Sequence, residues 1–143
     1  MKKVVLDDHL LRDVLSNQIS GDLQRRLRGT RIATTNMYYV RLCKSAVSAR
    51  GGSLTGSWPA ERRIELSRSL LVLPDEIAVV PLRTIAFRIA ELTELHPVST
   101  LGAEAVAAAE HLDAALVVWD GDDGPRIRAA ARSVGVQYRT VAR

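Results

Sequence analysis

Short β-branched runs alternate with stretches of helical periodicity along this chain, and that alternation constrains the fold more than any other feature. Val4–Leu6 reads as a strand, and Leu10, Leu11, Val14 and Leu15 then recur at helical spacing. Leu23 and Leu27 carry a second short helical stripe, stopped at Gly29. Arg31–Thr35 is a strand, with Asn36 as the cap of the next helix. The stretch GGSLTGS, residues 51–57, reads as a loop, and Pro59 opens a helix running to about Leu71. Ile77–Val80 is a strand, followed by a helix from Pro81 to about Leu95. Ser99 or Thr100 caps an alanine-rich helix reaching about Ala114. Leu116–Trp119 is a strand, Pro125–Val134 a helix, and Val136–Val141 the last strand.

Strands separated by helices need crossover connections. The expected fold is therefore α/β, with a mostly parallel sheet of about five strands and helices on both faces, a three-layer sandwich. The chain has 143 residues, 47% hydrophobic and 25% charged, which suits one domain over 1–143. The longest apolar runs are too short to span a bilayer, and Asp7 and Asp8 interrupt the first of them, so no secretory leader is legible and a cytoplasmic chain is expected. Cys43 stands alone, which excludes an intramolecular disulfide and leaves it a small buried side chain. No GxGxxG or Walker-type loop is present, which removes the support for a nucleotide-binding α/β protein.

Two strands end in acid. Val4-Val5-Leu6 runs into Asp7-Asp8, and Leu116–Trp119 runs into Asp120, Gly121, Asp122 and Asp123. In open parallel sheets the ligand crevice lies outside the strand carboxyl ends, so Asp7 and Asp120 belong to one rim. Carboxylates converging there suit Mg²⁺ or Mn²⁺ and phosphodiester hydrolysis. Acidic residues after a strand also serve as ordinary turn-formers.

The residues VVLDDHLL, 4–11, resemble the first strand and helix of the PIN-domain family, metal-dependent nucleases that include the VapC-type toxins. The segment STLGAEAVAAAEHLDAALVVWD is similar to that family's later helix and fourth strand, and RAAARSVGV to its closing helix. The resemblance implies a PIN-like sandwich, ribonuclease activity with Mg²⁺ or Mn²⁺, a cognate antitoxin and a homodimer. It matches Asp7 to the first acidic position and Asp120 to the fourth. The second falls on Arg41 and the third on Gly102, so two expected carboxylates are missing.

Glu104 lies roughly 200° around the helix from Gly102 and should face elsewhere. Asp7 and Asp8, as successive strand residues, should point to opposite faces. Asp123 is the best-placed additional metal ligand, and a solvated turn is the competing reading of Asp122 and Asp123. A guanidinium stays charged and can engage two carboxylate oxygens, so Arg41 is expected to neighbour Asp7 and Asp120 in place of the metal. Two functions follow: a toxin-type nuclease whose activity is impaired by these losses, or a non-catalytic PIN-like module that binds RNA or protein and needs no metal. His9 reads as a helix-start residue or a proton shuttle. His96 and His111 share no metal-ligand spacing with it, and Trp58 and Trp119 read as packing residues.

The net charge is +4, and QRRLRGTR gathers Arg25, Arg26, Arg28 and Arg31. This cluster is the expected RNA-facing surface. Only six aromatic residues argue against an extended base-stacking platform.

Overall fold

The computed structural model describes residues 2–48 and 50–143. Five strands form one open, wholly parallel sheet: β1 (Lys2–Leu6), β2 (Thr30–Thr34), β3 (Ile77–Val79), β4 (Ala115–Trp119) and β5 (Tyr138–Val141). Their spatial order is β3-β2-β1-β4-β5. Helices α1 (Asp8–Leu15) and α2 (Gly21–Leu27) join β1 to β2, and α3 (Asn36–Val47), α4 (Gly52–Thr55) and α5 (Ala60–Leu71) join β2 to β3. Helices α6 (Leu82–Leu95) and α7 (Thr100–Leu112) cross back to β4, and α8 (Pro125–Ser133) leads to β5.

Side-chain alternation along the strands divides the core. Val5, Ala33, Leu116 and Val118 pack with residues of α6, α7 and α8. Val4, Leu6, Val117 and Val141 pack on the other face with Leu10 of α1 and Leu23 of α2. The result is a three-layer α/β/α sandwich. In α7 every residue from Gly102 to Ala109 is buried, as a helix enclosed on all sides requires. No helix among the described residues is long and apolar enough to cross a membrane.

Local chemistry shifts several boundaries. Thr35, not Asn36, caps α3, its hydroxyl accepting from Tyr38 N at 3.0 Å. Ser99 caps α7 through Gly102 N at 3.1 Å. The stretch read as a loop contains one turn of helix, α4. Its buried Thr55 hydroxyl donates to the Gly51 carbonyl at 2.8 Å, and Gly51 takes φ 75°, which only glycine adopts without strain.

The chain moves outward from β1 to β2 and β3, then returns to place β4 on the other side of β1. The β1/β4 boundary is thus the topological switch point, where the crevice of an open parallel sheet forms.

Candidate metal centre

β1 ends at Leu6, and Asp7 turns the chain into α1. Its backbone is extended, with φ −72° and ψ 178°, and its side chain caps the helix, Oδ1 accepting from Leu10 N at 2.9 Å. Oδ2 accepts from Trp119 N at 3.0 Å, which ties the end of β1 to the end of β4. Asp7 is 1% exposed, and both oxygens are held by amides.

Asp8 is the first residue of α1 and is buried as well. Asp7 and Asp8 do not face opposite sides, contrary to the alternation expected of strand residues. Strand alternation stops at Leu6, and helical geometry starts at Asp8, so both carboxylates reach the rim. Asp8 Oδ1 accepts from His9 N at 2.9 Å. Asp8 Oδ2 is buried without a hydrogen-bond partner.

The acid that joins them from the β4 side is Asp122. A 3₁₀ turn, Asp120–Asp122, follows β4 directly. At three residues per turn, Asp120 and Asp122 point about 240° apart. Both residues are exposed, but only Asp122 brings a carboxylate oxygen into the cluster. Gly121 makes the turn possible: a Cβ there would lie 2.4 Å from the Trp119 indole. One donor atom each from Asp7, Asp8, His9 and Asp122 falls within 4.8 Å of the others.

His9 Nδ1 lies 3.3 Å from Asp8 Oδ1 and 2.5 Å from Asp122 Oδ2, too far out of line for a directed hydrogen bond. Its ring packs on Trp119, centroids 4.6 Å apart. The expected choice between a structural helix-start residue and a proton shuttle thus becomes an imidazole inside the carboxylate cluster. The Arg143 guanidinium also lies on Trp119, 4.9 Å from the ring centre.

The electrostatics follow from crowding acids in a buried place. Burial lifts the Asp7 carboxyl to about 8 against the pull of its two amide donors, and the neighbouring charges of Asp122 and Asp8 raise it further. Burial alone would depress His9. The carboxylates of Asp122 and Asp8 outweigh it and bring the imidazole up to about 9. Burial would raise Asp122, but His9 overrides it and holds this carboxyl below the usual range. In this state protons on Asp7 and His9 screen charges that a cation could screen instead.

The remaining expected residues sit as follows. Arg41, on α3, is 46% exposed at its side chain, and its Nε lies 3.4 Å from Asp8 Oδ2. Its ion pair is with Asp8 rather than with Asp7 or Asp120, because α3 starts at the end of β2 and approaches the α1 side of the rim. Asp123 turns away from the cluster, pairs with Arg128 and accepts from the Tyr138 hydroxyl at 3.0 Å. A Cβ on Gly102 would lie 2.8 Å from Val98 Cγ2, so an acid there needs that side chain to move. Glu104 is fully buried at the amino end of α3, accepting from Asn36 N at 2.9 Å, Asn36 Nδ2 at 2.8 Å and Met37 N at 2.9 Å. No acidic residue stands in the first turn of α3, and Glu104 supplies that charge from outside.

Arg25, Arg26, Arg28 and Arg31 are all exposed, but they do not flank the acids. Arg31 pairs in register with Lys3, at the amino end of β1, while Asp7 follows its carboxyl end. The basic cluster occupies the opposite rim.

The buried Asp8 Oδ2, which accepts no hydrogen bond, and the convergence of three carboxylates with one imidazole fit a divalent cation. A parallel α/β sheet with acids gathered at its switch point is compatible with a PIN-like domain. The chain matches no family model, and no curated protein matches it.

Proposed function

We propose that this chain is a metal-dependent phosphodiesterase of the PIN-like, toxin-type kind, in which Asp7, Asp8 and Asp122 hold Mg²⁺ or Mn²⁺ and RNA is cut. The observation that carries the reading is the buried Asp8 oxygen without a hydrogen-bond partner, set among donor atoms within 4.8 Å of one another. When bound, a divalent ion supplies Lewis-acid polarisation of a phosphate oxygen and makes a water acidic enough to attack near neutral pH. Asp7, fixed by the amides of Leu10 and Trp119, holds one carboxylate at a set position without reorganisation. His9 holds a proton at its ring beside Asp122 and is placed to hand it to a leaving oxygen. Arg41, half-exposed beside Asp8, can meet a phosphate at the mouth. On this reading the chain is one domain over 1–143 acting in the cytoplasm, and an antitoxin partner and a homodimer rest on the family resemblance alone.

A second reading is favoured by one contact. Arg41 Nε at 3.4 Å from Asp8 Oδ2 already brings a positive charge to the site, as a non-catalytic module with no resident metal would use it. Cleavage of a short single-stranded RNA separates the two. Turnover that requires Mn²⁺ or Mg²⁺, stops with a chelator and is lost in Asp8→Asn and Asp122→Asn supports the nuclease. RNA binding without metal-dependent turnover supports the second reading.

A further inference from the structure

A second concave surface, of about 390 Å³, lies at the rim opposite the acids. Four cations from three elements line it: Lys2 and Lys3 of β1, Arg26 of α2 and Arg139 of β5. Its floor is aliphatic, from Val4, Ala115 and Val117, and one acid, Asp113, stands in the wall. Among the described residues none of the four cations is ion-paired. Arg28 and Arg31, exposed at the start of β2, extend the positive surface beyond the groove. Cations gathered without partners attract anions, and this volume is that of a small-molecule site.

We propose that this groove binds a nucleotide, its phosphate on Arg26, Arg139 and Lys2 and its uncharged part over the aliphatic floor. The nucleotide is either free or one unit of an RNA strand. The site is separate from the acidic cluster and does not rest on the metal reading. It also gives the arginine-rich segment a use that its distance from the acids denies it in catalysis.

The test is fluorescence anisotropy of a short labelled single-stranded RNA, with adenosine monophosphate as competitor, in chelator so that the acidic site plays no part. The wild type binds the RNA. Displacement by adenosine monophosphate assigns the groove to a free nucleotide, and RNA binding without displacement assigns it to a strand. Arg26→Gln combined with Arg139→Gln weakens binding by about ten-fold at low salt and flattens the logarithmic salt slope by about 1.4. Lys2→Gln, at an exposed position, flattens it by about 0.7. Arg68→Gln, a matched charge loss on α5, leaves affinity unchanged. A wild type that does not bind the RNA overturns the proposal. So do wild-type affinity in both groove variants, or an equal loss in Arg68→Gln.

Discussion

Raising the pH should destabilise the metal-free protein across the neutral range, and the magnitude follows from the acidic cluster. Asp7 holds its proton up to about pH 8 when folded, against 3.8 in the unfolded chain. Between those values the folded state binds a proton that the unfolded state has lost, so stability falls as pH rises. His9 acts with the same sign. Its folded value of about 9 exceeds the unfolded 6.5, so its contribution is complete below 6.5 and disappears as pH passes about 9. Asp122 is ionised in both states in this window, because its value is lowered from an already acidic 3.8, and it adds no slope. Between about pH 6.5 and 8, folding therefore takes up between one and two protons. One proton corresponds to about 1.4 kcal/mol per pH unit, so a slope of about 2 kcal/mol per unit is expected. Thermal and urea unfolding in chelator across this window measure it. Asp7→Asn and His9→Gln should each remove roughly half of the slope. Saturating Mn²⁺ should displace the Asp7 proton and make the slope shallower. A flat or rising profile in chelator, or a slope untouched by either variant, refutes the linkage between burial, proton uptake and the cluster.

Other consequences are local. Glu104→Ala leaves the half-buried Asn36 and Met37 donors without their carboxylate and should cost about 2–3 kcal/mol in urea unfolding, with Glu104→Gln losing less. Arg12→Ala removes a 4% exposed guanidinium that donates to Asp13 Oδ1 from Nε at 3.1 Å and Nη2 at 3.0 Å and also bonds the Leu54 carbonyl; the expected loss is about 3–5 kcal/mol by the same assay. Gly121→Ala should push the Trp119 ring aside and weaken Mn²⁺ binding by swinging Asp122 outward, seen as reduced Trp fluorescence perturbation on Mn²⁺ addition.

The layer order and the sheet direction were legible because hydrophobic periodicity, Pro and Gly mark elements independently of tertiary contacts. The rim that carries the acids was legible too, since Asp7 follows a strand. The identity of the partner acid was not. Asp120 holds the sequence position after β4, but a 3₁₀ turn rotates it outward and brings Asp122 in, and that turn depends on Gly121 packing against Trp119. Asp8 was misread because the helix begins one residue earlier than strand alternation assumes. The place of the basic cluster at the amino rim follows from its position just before β2. Glu104 was hidden because its partners lie 68 and 67 residues away at Asn36 and Met37, a distance no local pattern reports.

Calorimetric Mn²⁺ titration tests the central claim, that Asp7, Asp8 and Asp122 form a cation site. The wild type should bind one ion with release of the proton from Asp7. Asp7→Asn and Asp122→Asn should abolish binding, and Arg41→Glu should tighten it by freeing Asp8 of its ion pair. Absence of Mn²⁺ uptake by both the wild type and Arg41→Glu, or uptake that survives Asp7→Asn and Asp122→Asn unchanged, contradicts it.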